Sequence, residues 1–434
     1  MSALTSGAIA QIRYLQRLAA SLLLYQSVLK SPAGQAFIDL LQALHHSEVS
    51  GLECQVAYGN WFKVQAAKNL SWKDSLIAEI LKDENPFSRR AQQTDFASLP
   101  PALVEAAQHD LQVLQNIYEC SSEQLSKWVR VAGQLDAVPP IWHSETVAKQ
   151  GDLPLHEKLE KWSSAAESLA VYYRQFGTGL FAEYRAFRWR GGELANISHP
   201  DGITLKELVC CDWQRDALVK NTEFLLAGYP ALHVLLYGSR GSGKSSLVKS
   251  LLNEFGSRNL RLIEVSKSDL QDLPLIVEKL RGVPQKFIIF VDDLSFEEDD
   301  DAFKALKVVL EGNVTARSQN VVVYATSNRR HLIREFFDDR PRPRDGDEVH
   351  AWDTVQEKLS FSDRFGLTLT FEPADQNTYL TIVRHLAELA GIKLAAEDLE
   401  HRAKEWATRR NGRSGRTARQ FVDFLKADLA LFDK

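Results

Sequence analysis

The first half of the chain repeats its apolar residues at helical spacing. Between residues 6 and 29 they return at Ile9, Ile12, Leu15, Leu18 and Leu22, one face of a helix. Ser31-Pro32 and Gly34 interrupt that pattern, and residues 37–44 resume it. Further helices are predicted over 73–81, 102–118 and 122–135, each behind a start signal: Ser71, Pro100-Pro101 and Ser121. Pro139-Pro140 marks a break before a last helical stretch around 158–176. Trp61, Trp72, Trp128, Trp142, Trp162 and Trp189 are scattered through this half. Core packing is the commoner use of tryptophan, so they are assigned there rather than to a ligand platform. Residues 1–195 are therefore expected to form a mostly α-helical N-terminal domain, and its sequence does not disclose a role.

From Arg190-Gly191-Gly192 to Pro200-Asp201-Gly202 the periodicity dissolves into Gly, Pro, Asn and Asp, the pattern of a domain boundary. Beyond a helix at Asp212–Leu226 the period changes. Nearly continuous apolar runs at 233–237, 261–265, 287–291, 321–326 and Leu367–Phe371 alternate with helical patterns at Lys244–Phe255, 273–280 and 302–310. Alternation of this kind predicts an α/β domain with a parallel sheet covered on both faces. Residues 196–372 form this core, and the helical pattern of 373–434 adds a small C-terminal lid.

Composition changes this picture little. The chain has 434 residues, of which 44% are hydrophobic and 25% charged, ordinary for a soluble globular protein. A formal net charge of -5 provides no overall attraction to nucleic acid or anionic membrane. The four cysteines, Cys54, Cys120, Cys210 and Cys211, lack metal-type spacing, and a reducing cytoplasm is the expectation. The N-terminal apolar face carries Arg13, Gln16 and Arg17, unlike a signal peptide, and Leu22-Leu23-Leu24-Tyr25 is far too short to span a bilayer. The histidines show neither metal spacing nor a triad arrangement.

Candidate chemistry changes the picture a great deal. Gly238-Ser239-Arg240-Gly241-Ser242-Gly243-Lys244-Ser245 follows an apolar strand and opens a helix, matching the phosphate-loop pattern G-x-x-x-x-G-K-[ST] without substitution. Its glycines let backbone N–H groups turn toward an anion, and the helix beyond aims its positive end at the same point. Lys244 is expected to reach the outer phosphates, Ser245 to complete a Mg²⁺ shell, and Ser246 to lie in the first helical turn. The strand 287–291 ends in Asp292-Asp293. Asp292 is assigned to Mg²⁺, and Asp293 to orienting or deprotonating the attacking water. The strand 321–326 ends in Ser327-Asn328, where Asn328 could hydrogen-bond the water and the γ-phosphate. Glu297 to Asp301 reads as a solvated acidic helix start. Arg340-Pro341-Arg342-Pro343-Arg344 reads as a surface loop whose acidic flanks nearly cancel its charge.

In this order, the phosphate loop (Walker A), Asp292-Asp293 (Walker B), Ala325-Thr326-Ser327-Asn328 and Ser362-Asp363-Arg364-Phe365-Gly366 resemble the AAA+ ATPase superfamily. Thr204-Leu205-Lys206-Glu207-Leu208-Val209 resembles that family's segment against the nucleotide base, and Gly412-Arg413-Ser414-Gly415-Arg416 its second sensor. More narrowly, Lys244-Ser245-Ser246-Leu247-Val248-Lys249 and residues 359–367 are similar to an uncharacterised bacterial family of ATP-binding AAA+ proteins. The resemblance covers about the C-terminal half, from Asp201 onward. It implies ATP with Mg²⁺, a five-stranded α/β P-loop core and a helical lid. It also implies that Arg364 acts as an arginine finger on the ATP of a neighbouring subunit, and that Arg416 reaches the γ-phosphate from the lid, with Arg413 and Arg419 as rivals. A shared site implies a homo-oligomer.

Two departures qualify the expectation. Most members carry Glu where this chain has Asp293, one methylene shorter, and residues 266–285 lack the aromatic–apolar–Gly loop of threading unfoldases. The expectation is a cytoplasmic Mg²⁺-dependent ATPase that remodels an unidentified protein partner without a membrane. A nucleotide-gated switch with very slow turnover is the alternative, and a DNA-associated loader a third reading.

Overall fold

In a computed structural model, the structure describes residues 4–46, 51–144, 154–155, 161–295, 301–311, 318–328, 364–410 and 412–432. They fall into two compact units, Met1–Glu183 with Gly282–Pro284, and Tyr184–Arg281 with Gln285–Lys434.

The first unit is helical, and its caps lie where the sequence suggests. Ser71 and Ser121 accept from the backbone N–H of Asp74 and Gln124 ahead of helices Trp72–Lys82 and Ser122–Ala132, and Pro101 opens Pro101–Tyr118. The periodic stretch of residues 6–29 is not one helix. It stops at Ala20 and restarts as Gln26–Lys30. Between the two, the fully buried Asp110 accepts the backbone N–H groups of Leu23, Leu24 and Tyr25 at 2.7–3.0 Å, replacing the helical ladder over one turn. Among the described helices, some carry no clear periodic signal. Gly51–Lys68 spreads apolar residues around its circumference, with Leu52 and Val56 exposed and Cys54, Tyr58 and Trp61 buried, and Pro86–Ala91 is a single capped turn and a half. Trp61, Trp72 and Trp162 are buried in this unit's core, as expected of core tryptophans.

The second unit is built on a sheet of seven strands: β1 Ala186–Arg190, β2 Glu193–Asn196, β3 Val234–Gly238, β4 Leu260–Glu264, β5 Lys286–Val291, β6 Val321–Ser327 and β7 Leu367–Phe371. Their order is β2-β1-β4-β5-β6-β3-β7. All pairings are parallel except the β1–β2 hairpin. Helices Asp212–Leu226 and Lys244–Phe255 cover one face over Val234, Leu236, Ile288, Val322 and Leu369. The alternate residues Leu235, Ile263, Ile289 and Val323 are buried too, so neither face is wet. Helices Gln376–Leu389, Ala396–Arg409 and Gly415–Leu431 pack around Tyr379, Val383, Ala403 and Phe421 as a lid with its own core.

This is the α/β P-loop core with a helical lid that the AAA+ resemblance implies, but its sheet has seven strands rather than five. Of the two additional strands, β1 lies at the end of the stretch read as helical and β2 in the stretch read as a boundary. Gly191 and Gly192, both at positive φ, form a two-residue turn between β1 and β2. Strand β3 lies between β6 and β7 although the chain leaves it for β4, so its carboxyl end opens onto a topological switch point.

Candidate phosphate and metal site

Strand β3 delivers the glycine-rich loop to that point. Gly238 has φ 145°, and a Cβ there would lie 1.9 Å from the Phe371 carbonyl oxygen, so β7 can run alongside only because the side chain is absent. Gly241 and Gly243 are at φ 74° and 95°, and Gly243 caps the helix Lys244–Phe255, whose first N–H groups have no carbonyl one turn back. Ser242 Oγ donates to Ser239 O at 2.9 Å and closes the loop.

The Lys244 ammonium lies within the loop. It donates to Gly238 O at 2.8 Å, Ser239 O at 2.7 Å and Asn328 Oδ1 at 3.3 Å. Burial lowers its pKa, partly countered by the carboxylates of Asp292 and Asp293, so the cation faces mostly neutral oxygen. A phosphate oxyanion would be a stronger acceptor than any of those three.

The two aspartates have different surroundings. Asp292 Oδ1 accepts from Ser245 Oγ at 2.6 Å and from Thr326 Oγ1 at 2.5 Å. Asp293 sits in the left-handed region at φ 52°, its N–H bonded to Thr326 Oγ1 at 2.9 Å and its Oδ1 accepting from Asn328 Nδ2 at 2.6 Å. Asn328 thus joins the ammonium on one side to Asp293 on the other. Thr326, a residue the sequence reading quotes without a role, orients the Asp292 carboxylate and fixes the Asp293 backbone.

A cleft of about 830 Å³ brings most of the expected residues together. It is lined by Arg240 to Ser246, Asp292, Asp293, Thr326 and Asn328, by Arg416 and Arg419 from the lid, and by the apolar Ile203, Leu208, Val209, Ile382 and Leu386. Arg416 also donates its backbone N–H to Gly241 O at 3.2 Å. Gly238 and Ser239 lie behind the lining, where they accept from Lys244. Arg413 does not line the cleft. Arg364 does not reach it either. It precedes Leu367, which pairs with Val234 at the opposite end of β3 from Gly238, and the four residue steps of strand between are already about 13 Å. Asp363, Glu297 and the Arg340–Arg344 loop lie outside the described residues.

The donor set fits a triphosphate with a hard cation. Glycine backbone, a helix start and an ammonium suit the phosphates, and hydroxyl and carboxylate oxygens at Ser245 and Asp292 suit Mg²⁺. Among the described residues no group of three or more His, Cys, Asp and Glu is placed to hold a metal ion.

A family model matches residues 182–429, more than half of the chain, and is described as a protein of unknown function (DUF815). The chain belongs to the DUF815 family. The match spans β1 to the last lid helix of this DUF815 protein, hairpin included. No curated protein matches the chain. Among solved structures it is similar to a Thermotoga maritima RuvB Holliday junction branch migration motor, with 15% identity and a TM-score of 0.35, over 53% of this chain and 66% of that one. It is also similar to domain III of the Thermotoga maritima replication initiation protein DnaA, with 18% identity and a TM-score of 0.37, over 54% of this chain and 92% of that one. No described helix is long and apolar enough to cross a membrane.

Proposed function

We propose that this DUF815 protein binds ATP with Mg²⁺ and hydrolyses it, acting as an oligomer that remodels a protein partner. One observation carries the reading: Lys244, Asn328 and Asp293 are hydrogen-bonded in series beside the Ser245–Asp292–Thr326 group, at the mouth of a glycine loop. Bound Mg²⁺ would supply Lewis-acid stabilisation of the charge on the phosphates. Ser245 and Asp292 would hold it, with Thr326 fixing the carboxylate that would do so. Lys244 leaves the loop carbonyls for the β- and γ-phosphate oxygens. Asp293 accepts a proton from, or aligns, the attacking water, and Asn328 holds Asp293 in place while its carbonyl faces the ammonium. Arg416 reaches the γ-phosphate from the lid. Arg364, at the far end of the sheet, serves the ATP of a neighbouring copy.

The test is steady-state phosphate release in the presence of Mg²⁺. Lys244→Ala, checked for native circular dichroism, is expected to abolish both release and nucleotide binding; release that survives the substitution would sink the reading.

Asp293 favours a second reading, a nucleotide-gated switch with negligible turnover. Its shorter carboxylate is held by Asn328, and its backbone is in the left-handed region. Asp293→Glu separates the two. A large gain in turnover supports the switch, whereas no change or a loss supports a working ATPase.

A further inference from the structure

Besides the Arg416–Gly241 backbone bond, two lid side chains bond one short turn of the core. The 3₁₀ turn Leu205–Glu207 precedes the cleft-lining Leu208 and Val209. His385, on the lid helix Gln376–Leu389, places Nε2 2.6 Å from the Lys206 carbonyl oxygen, where a protonated Nε2 donates to it. Arg419, on the lid helix Gly415–Leu431, pairs its guanidinium with Glu207 Oε2. The other oxygen of Glu207 turns inward: Oε1 accepts the Thr204 N–H at 2.9 Å and the Thr204 hydroxyl at 3.0 Å, a capping box on the same turn. Burial pushes the carboxyl up, but the Thr204 N–H, Arg419 and the Thr204 hydroxyl together hold it below its ordinary range, so Glu207 is ionised.

These contacts have a shape. Ile203 and Leu208 line the cleft from the side of the turn, while Ile382 and Leu386, flanking His385, line it from the lid. The bond from Arg419 to Glu207 therefore ties one apolar wall to the other, with Leu208 packed beside Gly243 of the phosphate loop. It also commits Arg419 to a carboxylate, which leaves Arg416 as the other lid arginine lining the cleft.

We infer that Glu207 is a positioning residue for the nucleotide: by joining Arg419 to the turn Leu205–Glu207, it sets the width of the apolar slot that takes the base. This rests on the ATP reading above. Because the latch acts on the apolar walls, which suit a base and not a phosphate, its effect falls on a ligand with a base and not on a bare triphosphate. Lid displacement as a whole would weaken both, since Arg416 would move too.

The experiment compares dissociation constants for ATP and for inorganic tripolyphosphate, measured by calorimetry on the full chain. Glu207→Gln keeps the acceptor for Thr204 and removes the charge. It is expected to weaken ATP by about three- to tenfold, the scale of a partly buried ion pair, while tripolyphosphate binding holds. Arg419→Gln should do the same, and the double variant should lose no more than either single one, since one bond is being broken. Equal losses for both ligands, additive losses, or no loss would each overturn the proposal with the ATP site intact. If the unaltered protein binds tripolyphosphate but not ATP, or neither ligand, the ATP reading itself fails and takes this inference with it.

Discussion

Thr326 holds the chemistry in register. Strands β5 and β6 pair Val291 with Ala325, which places Thr326 beside Asp292, and one hydroxyl then donates to the Asp292 carboxylate while accepting the Asp293 N–H. Thr326→Val keeps the shape and removes both bonds. Turnover is expected to fall about tenfold or more, and the Mg²⁺ concentration needed for half-maximal phosphate release to rise, because a hydrogen bond to a carboxylate is lost and a backbone donor is stranded. Wild-type Mg²⁺ dependence in that variant would deny Thr326 the role. The loop itself was legible in the sequence because glycine and lysine are demanded there by local backbone geometry: Gly238 tolerates no Cβ against Phe371. Thr326 was not, because its role arises from a strand pairing between segments more than thirty residues apart in the chain. Local spacing cannot show that.

Among elements, those legible in the sequence have one apolar face and a local start signal. Asp212–Leu226 and Lys244–Phe255 fall where the pattern places them, and the five long strands shift by a residue at most. Gly51–Lys68 was illegible because its apolar residues form no single stripe. The false continuity of residues 6–29 has an equally physical cause: the interruption is enforced by Asp110, a side chain far along the chain. Asp110→Ala would leave three amides without their buried acceptor. It is expected to destabilise the helical unit by about 3 kcal/mol or more, read as a lower denaturant midpoint. Asp110→Asn, which retains one acceptor oxygen, should cost less. Equal midpoints for Ala and the unaltered protein would show that water serves those amides as well.

For the whole molecule, the placement of Arg364 at the end of the sheet away from the phosphate loop makes complementation the informative measurement. Lys244→Ala retains the arginine but loses the phosphate site, and Arg364→Ala does the reverse. Each alone should be inactive, a finger being worth roughly 10³–10⁵ in rate, and a mixture should recover part of the phosphate release. A mixture as inactive as its components would place both residues in the service of one subunit's ATP. The hairpin at the sheet edge bears on how the molecule can be divided. Cutting at residue 196, where composition suggests a joint, removes β1 and β2 and bares the outer backbone edge of β4, a strand whose Leu260, Leu262 and Ile263 are buried. Such a fragment would carry an open, apolar template for strand addition and is expected to precipitate or form fibrous aggregates, whereas one beginning at Tyr184 keeps the short β2, with the exposed Glu193, as its edge and should stay monodisperse by light scattering. Eleven residues of unpromising sequence would then act as a guard against self-association.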